Sequence, residues 1–160
     1  MTDMLVKLYN LPPLEAEMAA QTAQGITIRR GLPPEKHLVL DWVEHHFGAY
    51  WRSECDVAFS RQPVSIWIAI HEQKLVGFGC YDATALGFFG PTGVDESMRG
   101  RGVGKVLLLV CLHAMRDLGY GYAIIGGVGP IDFYNKIVGA TVIEDSTPGI
   151  YGGMLRPTES

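Results

Sequence analysis

The chain has 160 residues, of which 48% are hydrophobic and 19% charged, with a formal net charge of −4 at pH 7. That length suits one domain with a sizeable core, and the balance excludes a disordered chain. The acidic charge argues against electrostatic nucleic-acid binding, and no stretch reaches the roughly 18 apolar residues of a membrane span, so neither nucleic acid nor membrane is an expected partner.

Residues 1–24 read as an N-terminal extension. Leu5-Val6-Lys7-Leu8-Tyr9 predicts a short strand, and Pro12-Pro13 open a helix through Met18 and Ala20 that Gly25 stops. Ile26-Thr27-Ile28-Arg29-Arg30 alternates as a strand does. After Pro33-Pro34, the helical spacing of Leu38, Val39, Trp42, Val43 and His46 or Phe47 predicts one helix, and Tyr50 to Phe59 predicts a second. The period then changes. Ser65 to Ile70, Leu75 to Tyr81 and Leu86 to Val94 form a predicted meander of three antiparallel strands, turning at Glu72-Gln73-Lys74 and Asp82-Ala83-Thr84. A helix follows from about Val103 to Leu118, closed by Gly119. Tyr122 to Gly126 reads as a central strand, apolar on both faces and parallel to the strand ending at Val94. Pro130 starts a short helix, Ile131 to Val138, ended by Gly139. Ala140 to Glu144 and Tyr151 to Leu155 are expected as a last strand pair.

Between the meander and the long helix lies Val94-Asp95-Glu96-Ser97-Met98-Arg99-Gly100-Arg101-Gly102-Val103-Gly104-Lys105. Gly100, Gly102 and Gly104 leave the backbone free to take positive φ and to approach a ligand closely. The first amides of the helix have no internal partner, and with the helix dipole they favour an anion. Arg99, Arg101 and Lys105 add positive charge at the same place, so a phosphate or pyrophosphate is the natural guest. A P-loop is excluded, because its first glycine falls on Arg99 and its Ser/Thr on Val106. The dinucleotide fingerprint fails as well: counted from Gly100, its third glycine falls on Lys105.

What remains is R-x-x-G-x-G, from Arg99 to Gly104, set between a strand ending in Val94 and a helix. This resembles the acyl-CoA pyrophosphate loop of the GNAT superfamily of N-acetyltransferases. The order of elements is similar to that family's fold over about residues 26–155. The resemblance implies an α/β (α+β) architecture in which a mixed, mostly antiparallel central sheet carries helices on both faces. It assigns residues 25–160 to an acetyltransferase domain beside the extension, residues 1–24. Val94, Arg99, Gly100, Arg101, Gly102, Val103, Gly104 and Lys105 would bind acetyl-CoA as co-substrate, with no metal. Phe133-Tyr134, followed by Gly139-Ala140, resembles the family's F-Y-x-x-x-G-F with one extra residue. By that resemblance Tyr134 would protonate the departing CoA thiolate. A thiol pKa near ~8.5 and a phenol pKa near ~10 are close enough for a positioned Tyr to do so.

The family pattern is not matched everywhere. Glu96 stands where a proline is frequent, and Gly127 where an asparagine is frequent; Gly126-Gly127-Val128-Gly129 offers bare backbone instead. The implied reaction is direct acetyl transfer to a primary amine of a small molecule, with a backbone N–H near Val94 stabilising the oxyanion. The strand Leu86 to Val94 contains no carboxylate, so the base is open among Asp82, Glu54, His45 and His46. Trp42, Trp51, Trp67, Phe88 and Phe89 are available to line an acceptor pocket or to fill the core. The three cysteines, Cys55, Cys80 and Cys111, have no C-x-x-C spacing, which fits buried thiols in a reducing cytoplasm. The start, Met1-Thr2-Asp3-Met4, lacks a secretory leader's basic and apolar regions. Family members are often dimers, so a homodimer is among the expected assemblies. Two other readings stay open: a catalytically weak acyl-CoA binding or sensing module of the same fold, and a nucleotide-binding α/β domain.

Overall fold

The computed structural model describes residues 1–158. The alternating and helical stretches become β1 (Thr2–Lys7), α1 (Glu15–Ala23), β2 (Ile26–Arg30), α2 (Lys36–Phe47), α3 (Ala49–Phe59), β3 (Ile66–His71), β4 (Lys74–Tyr81), β5 (Phe88–Val94), α4 (Val103–Asp117), β6 (Tyr122–Val128), α5 (Ile131–Val138) and β7 (Thr141–Ile143). All seven strands form one sheet in the order β2-β3-β4-β5-β6-β1-β7. Every neighbouring pair is antiparallel except β5 and β6, which run parallel as the apolar run at Tyr122 predicts.

Period-two alternation divides the core into two layers. Along β3, Ile66 and Ile68 join Val39, Leu40, Val43, Cys55, Ala58 and Phe59 from α2 and α3 on one face. Trp67 and Ala69 face the other layer, built on α4. Helix α4 buries ten of its residues, from Val103 to Met115, because the sheet lies on one side of it and the extension on another. Gly77 and Gly79 of β4 let it come close: a Cβ at Gly77 would stand 3.1 Å from Leu107 Cδ1, and one at Gly79 3.4 Å from Cys111 Sγ.

The expected last strand pair is corrected at its second member. Gly149–Tyr151 is a 3₁₀ turn, and Gly152 to Leu155 holds no strand. Gly152 and Gly153 bring no side chain to bury, and Leu155 is 88% exposed. Its place is taken by β1, which starts earlier than its predicted Leu5 and lies between β6 and β7. It pairs Leu5 with Ile124 on one side and with Thr141 on the other. Met4 and Val6, with Leu8 just beyond the strand, supply the alternating buried side chains that the tail lacks.

Strands β5 and β6 pair only at Phe88–Ile124 and Phe89–Ile125. Beyond Phe89, Gly90 adopts φ +119° and Pro91 has no N–H to give a ladder. The register against β4 also shifts there, between Gly79 and Tyr81. The two parallel strands therefore part, and the gap opens toward the end of β5 that carries the glycine loop.

Candidate active site at the parting of two parallel strands

The loop at the mouth of the gap is pinned at its start. Asp95 Oδ1 accepts hydrogen bonds from Ser97 N (2.9 Å) and Ser97 Oγ (2.7 Å), which turns the chain into a 3₁₀ segment, Glu96–Met98. The Ser97 hydroxyl and amide hold the Asp95 carboxyl below the usual range, with His46 adding to the effect. Met98 is buried and anchors the turn. Gly100 (φ +82°) and Gly102 (φ +79°) then take left-handed conformations, and Gly102 caps α4. The amides of Val103, Gly104 and Lys105 are left at the open helix start. A Cβ on Gly104 would lie 3.7 Å from Val94 Cγ2, so the helix begins against the end of β5. Val94 and the run from Arg99 to Lys105 are thus brought together. Arg99, Gly100, Arg101 and Gly102 are exposed, whereas Val103 is buried beneath them. Lys105 Nζ contacts Glu17 at 2.8 Å. Asp95 N donates to Val76 O on β4 (2.8 Å), so by antiparallel alternation the Val94 amide faces the gap. Left-handed glycines, free helix amides and three cations fit a diphosphate.

Tyr134 stands at the apex of the gap. Its ring meets Phe89, the last β5 residue paired to β6, edge-on at 6.4 Å, and Phe133 at 5.1 Å. The side chain is 6% exposed, and burial pushes the phenol up to about 12. It therefore stays protonated through the neutral range.

A second group of side chains lies against β6. The Glu54 carboxylate on α3 accepts a hydrogen bond from Thr84 Oγ1. Burial raises its pKa, and it has no ion-pair partner among the described residues. The Tyr151 phenol is raised by burial and then by the Glu54 charge, with the Thr84 hydroxyl beside it. Tyr151 closes over Gly126: a Cβ there would be 2.6 Å from Tyr151 Oη and 2.9 Å from the Phe88 ring. The neighbouring Gly127 N donates to Asp3 Oδ1 (2.8 Å), which ties the start of β1 to this group, and Tyr50 Oη on α3 donates to Leu155 O (2.9 Å). Sequence reasoning names Glu54 among four candidate bases but misses Tyr151 and Asp3. Their only local signals are the glycines of β6 on which they close.

The other candidates have structural partners. Asp82 accepts from Gly87 N (2.8 Å) and from Tyr120 Oη (3.0 Å). His46 lies between Trp42 O (2.8 Å) and Asp95 Oδ2 (3.3 Å), and His45 is exposed. Trp42 and Trp51 pack with Phe47 and Phe78, and Trp67 carries the Arg30 guanidinium at 4.9 Å. Phe89 is core, so of the five aromatics Phe88 alone touches the β6 glycines. Burial pushes the Cys111 thiol up, which leaves it a poor nucleophile. Among the described residues no group of His, Cys, Asp or Glu is arranged to hold a metal, and no helix is long and apolar enough to cross a membrane.

The fold is thus an antiparallel meander running into a parallel pair that parts beside a glycine-capped helix. The sequence profile of the acetyltransferase (GNAT) family matches residues 31–140, and the chain belongs to that family. No curated protein matches it. Among solved structures, the GCN5-related glucosamine N-acetyltransferase region of a fungal multi-domain GH3 β-N-acetylglucosaminidase superposes with a TM-score of 0.72 at 14% identity, covering 89% of this chain and 19% of that one. A GCN5-related N-acetyltransferase from Sphaerobacter thermophilus gives 0.66 at 22% identity, covering 89% and 48%. An acetyltransferase from Trypanosoma brucei gives 0.54 at 21%, covering 69% and 89%. At these identities the likeness is one of fold, and the chain spans about a fifth and about half of the first two proteins' lengths.

Proposed function

We propose that this chain is an N-acetyltransferase that moves an acetyl group from acetyl-CoA directly to a primary amine of a small molecule. The observation that carries the reading is the gap between β5 and β6, with the glycine loop at its mouth and a buried, protonated tyrosine at its apex. The diphosphate of acetyl-CoA sits on the open start of α4, beside Arg99, Arg101 and Lys105. The pantetheine arm follows β5 into the gap, pairing with strand backbone as an added strand does. The acceptor nitrogen attacks the thioester carbonyl, and the Val94 amide stabilises the oxyanion. As the tetrahedral intermediate collapses, the C–S bond breaks and Tyr134 gives its proton to the thiolate. Glu54 takes the proton that the amine must lose. Its raised pKa brings it nearer to the working pH, as a general base requires. The close-packed Tyr151, Thr84 and Phe88 around it favour a compact acceptor over a protein chain. The free, buried Cys55, Cys80 and Cys111 support a reducing compartment such as the cytoplasm.

A second reading is an acyl-CoA binding or sensing module without turnover. It is favoured by one observation: β5 holds no carboxylate. Acetyl transfer to a panel of small amines separates the two. Glucosamine belongs in the panel because one solved relative carries that name. Tyr134→Phe is expected to lower kcat by about 10²- to 10⁴-fold, the usual contribution of a positioned acid, with CoA affinity retained. CoA binding without turnover on any amine would support the sensing module. Unchanged kcat in Tyr134→Phe would remove Tyr134 from the mechanism.

A further inference from the structure

We infer that α1, which lies outside the matched residues 31–140, sets the direction in which the glycine loop presents its amides; this rests on the reading of that loop as the CoA diphosphate site. The fully buried residue of α1 is a glutamine, Gln21, 1% exposed. A helix that buries a polar side chain while most of its apolar ones stay accessible is not held by hydrophobic burial alone. Gln21 Nε2 donates to Arg101 O at 2.8 Å, and Gln24 Nε2 donates to the same oxygen at 3.0 Å. Both acceptor sites of that carbonyl are thereby used. The contact is also steric, since a Cβ on Gly102 would be 3.1 Å from Gln21 Nε2. The segment is attached on either side as well: His113 Nε2 lies 2.8 Å from Pro12 O, and Lys105 Nζ lies 2.8 Å from Glu17 Oε1.

The consequence follows from peptide geometry. The Arg101–Gly102 bond is trans and planar, so its N–H points opposite to its C=O. Two glutamines holding the carbonyl toward α1 turn the Gly102 N–H away from α1, into the open space before the start of α4. With left-handed glycines at 100 and 102, this peptide is otherwise free to rotate, and a loop with flipped planes offers carbonyl oxygens to an anion. Gln21 and Gln24 are positioning residues: they act on the ligand through the Arg101–Gly102 peptide.

The test is titration calorimetry of CoA into the wild type, Gln21→Leu and Gln24→Ala. Alongside it, the Gly102 amide resonance is followed during titration with inorganic pyrophosphate. Gln21→Leu also removes a buried Oε1 that has no partner among the described residues, so the unliganded melting temperature is expected to hold. The expected result is a rise in the CoA Kd of about two- to tenfold in Gln21→Leu, the effect of one hydrogen bond, and a smaller rise in Gln24→Ala. Pyrophosphate is expected to shift the Gly102 amide less in the variants than in the wild type, while the Gly104 amide, set by the helix, responds as before. Should Gln21→Leu melt earlier, the exposed Gln24→Ala decides. An unchanged Kd in the deciding variant, or an unaltered Gly102 response, overturns the inference alone. A wild type that binds no CoA overturns the reading of the loop and this inference with it.

Discussion

Burial of the Glu54 carboxyl bears on stability as well as chemistry. Its pKa is raised first by desolvation, and the Thr84 hydrogen bond offsets only part of that. The protonated form is therefore favoured by the fold. Its contribution to stability is fully present below the ordinary glutamate value of ~4.3 and is lost as pH rises through the raised value in the folded state. Once ionised, the group stands desolvated with no ion-pair partner among the described residues. Glu54→Gln, which keeps the shape and an acceptor for Thr84, is expected to raise the melting temperature at pH 7, by a margin that shrinks toward pH 4. The same change is expected to lower kcat by about 10²- to 10⁴-fold. A variant that melts lower at pH 7 yet turns over normally contradicts both assignments. Part of this scale was readable in advance. Gly100 and Gly102 announce themselves because their conformations require positive φ. Glu54 does not stand out among four candidates, because its burial is made by Thr84 and Tyr151, brought in from distant parts of the chain.

At the scale of elements, the meander and α4 were legible because strand and helix periods contrast sharply from Ser65 to Leu118. Gly77 and Gly79 of β4 and Gly93 of β5 have a meaning that periodicity does not carry: they are places where another element comes within contact. Gly93 is the tightest. A Cβ there would overlap the Phe47 ring, which is itself held between Trp42, Trp51 and Phe78. Interlocked rings have little room to retreat, so Gly93→Ala is expected to cost about 1–3 kcal/mol of stability, read as a lower urea midpoint at an unchanged slope. An unshifted midpoint would mean that α2 is more loosely seated on β5 than this packing describes. The last strand was misread for a related reason. Tyr151 to Leu155 holds a tyrosine and two apolar residues that look like an edge strand, but strand pairing depends on what lies alongside. Beside β7 the chain had already placed β1, which buries Met4 and Val6.

For the whole molecule, inserting β1 between β6 and β7 joins the first residues of the chain to residues 141–147. Thr2 Oγ1 and Ser146 Oγ are 2.9 Å apart, and Thr147 Oγ1 donates to Met1 O at 2.9 Å. The same extension continues into α1, which reaches the glycine loop on the other side of the gap. Neither arrangement was readable locally, since both depend on contacts between residues far apart in sequence, whereas the mixed sheet and its glycine-capped helix were. The central claim is that this sheet parts to hold an acyl-CoA. A thermal-shift titration with acetyl-CoA and desulfo-CoA, run beside ATP and NAD, tests it most directly. A ligand bound only by the folded state adds about 2.7 kcal/mol at 100 times its Kd. The account predicts a rise in melting temperature with both CoA compounds and none with ATP or NAD. The rise should be lost in Gly102→Glu, which puts a carboxylate and a strained side chain at the start of α4. No rise with either CoA compound would contradict the account.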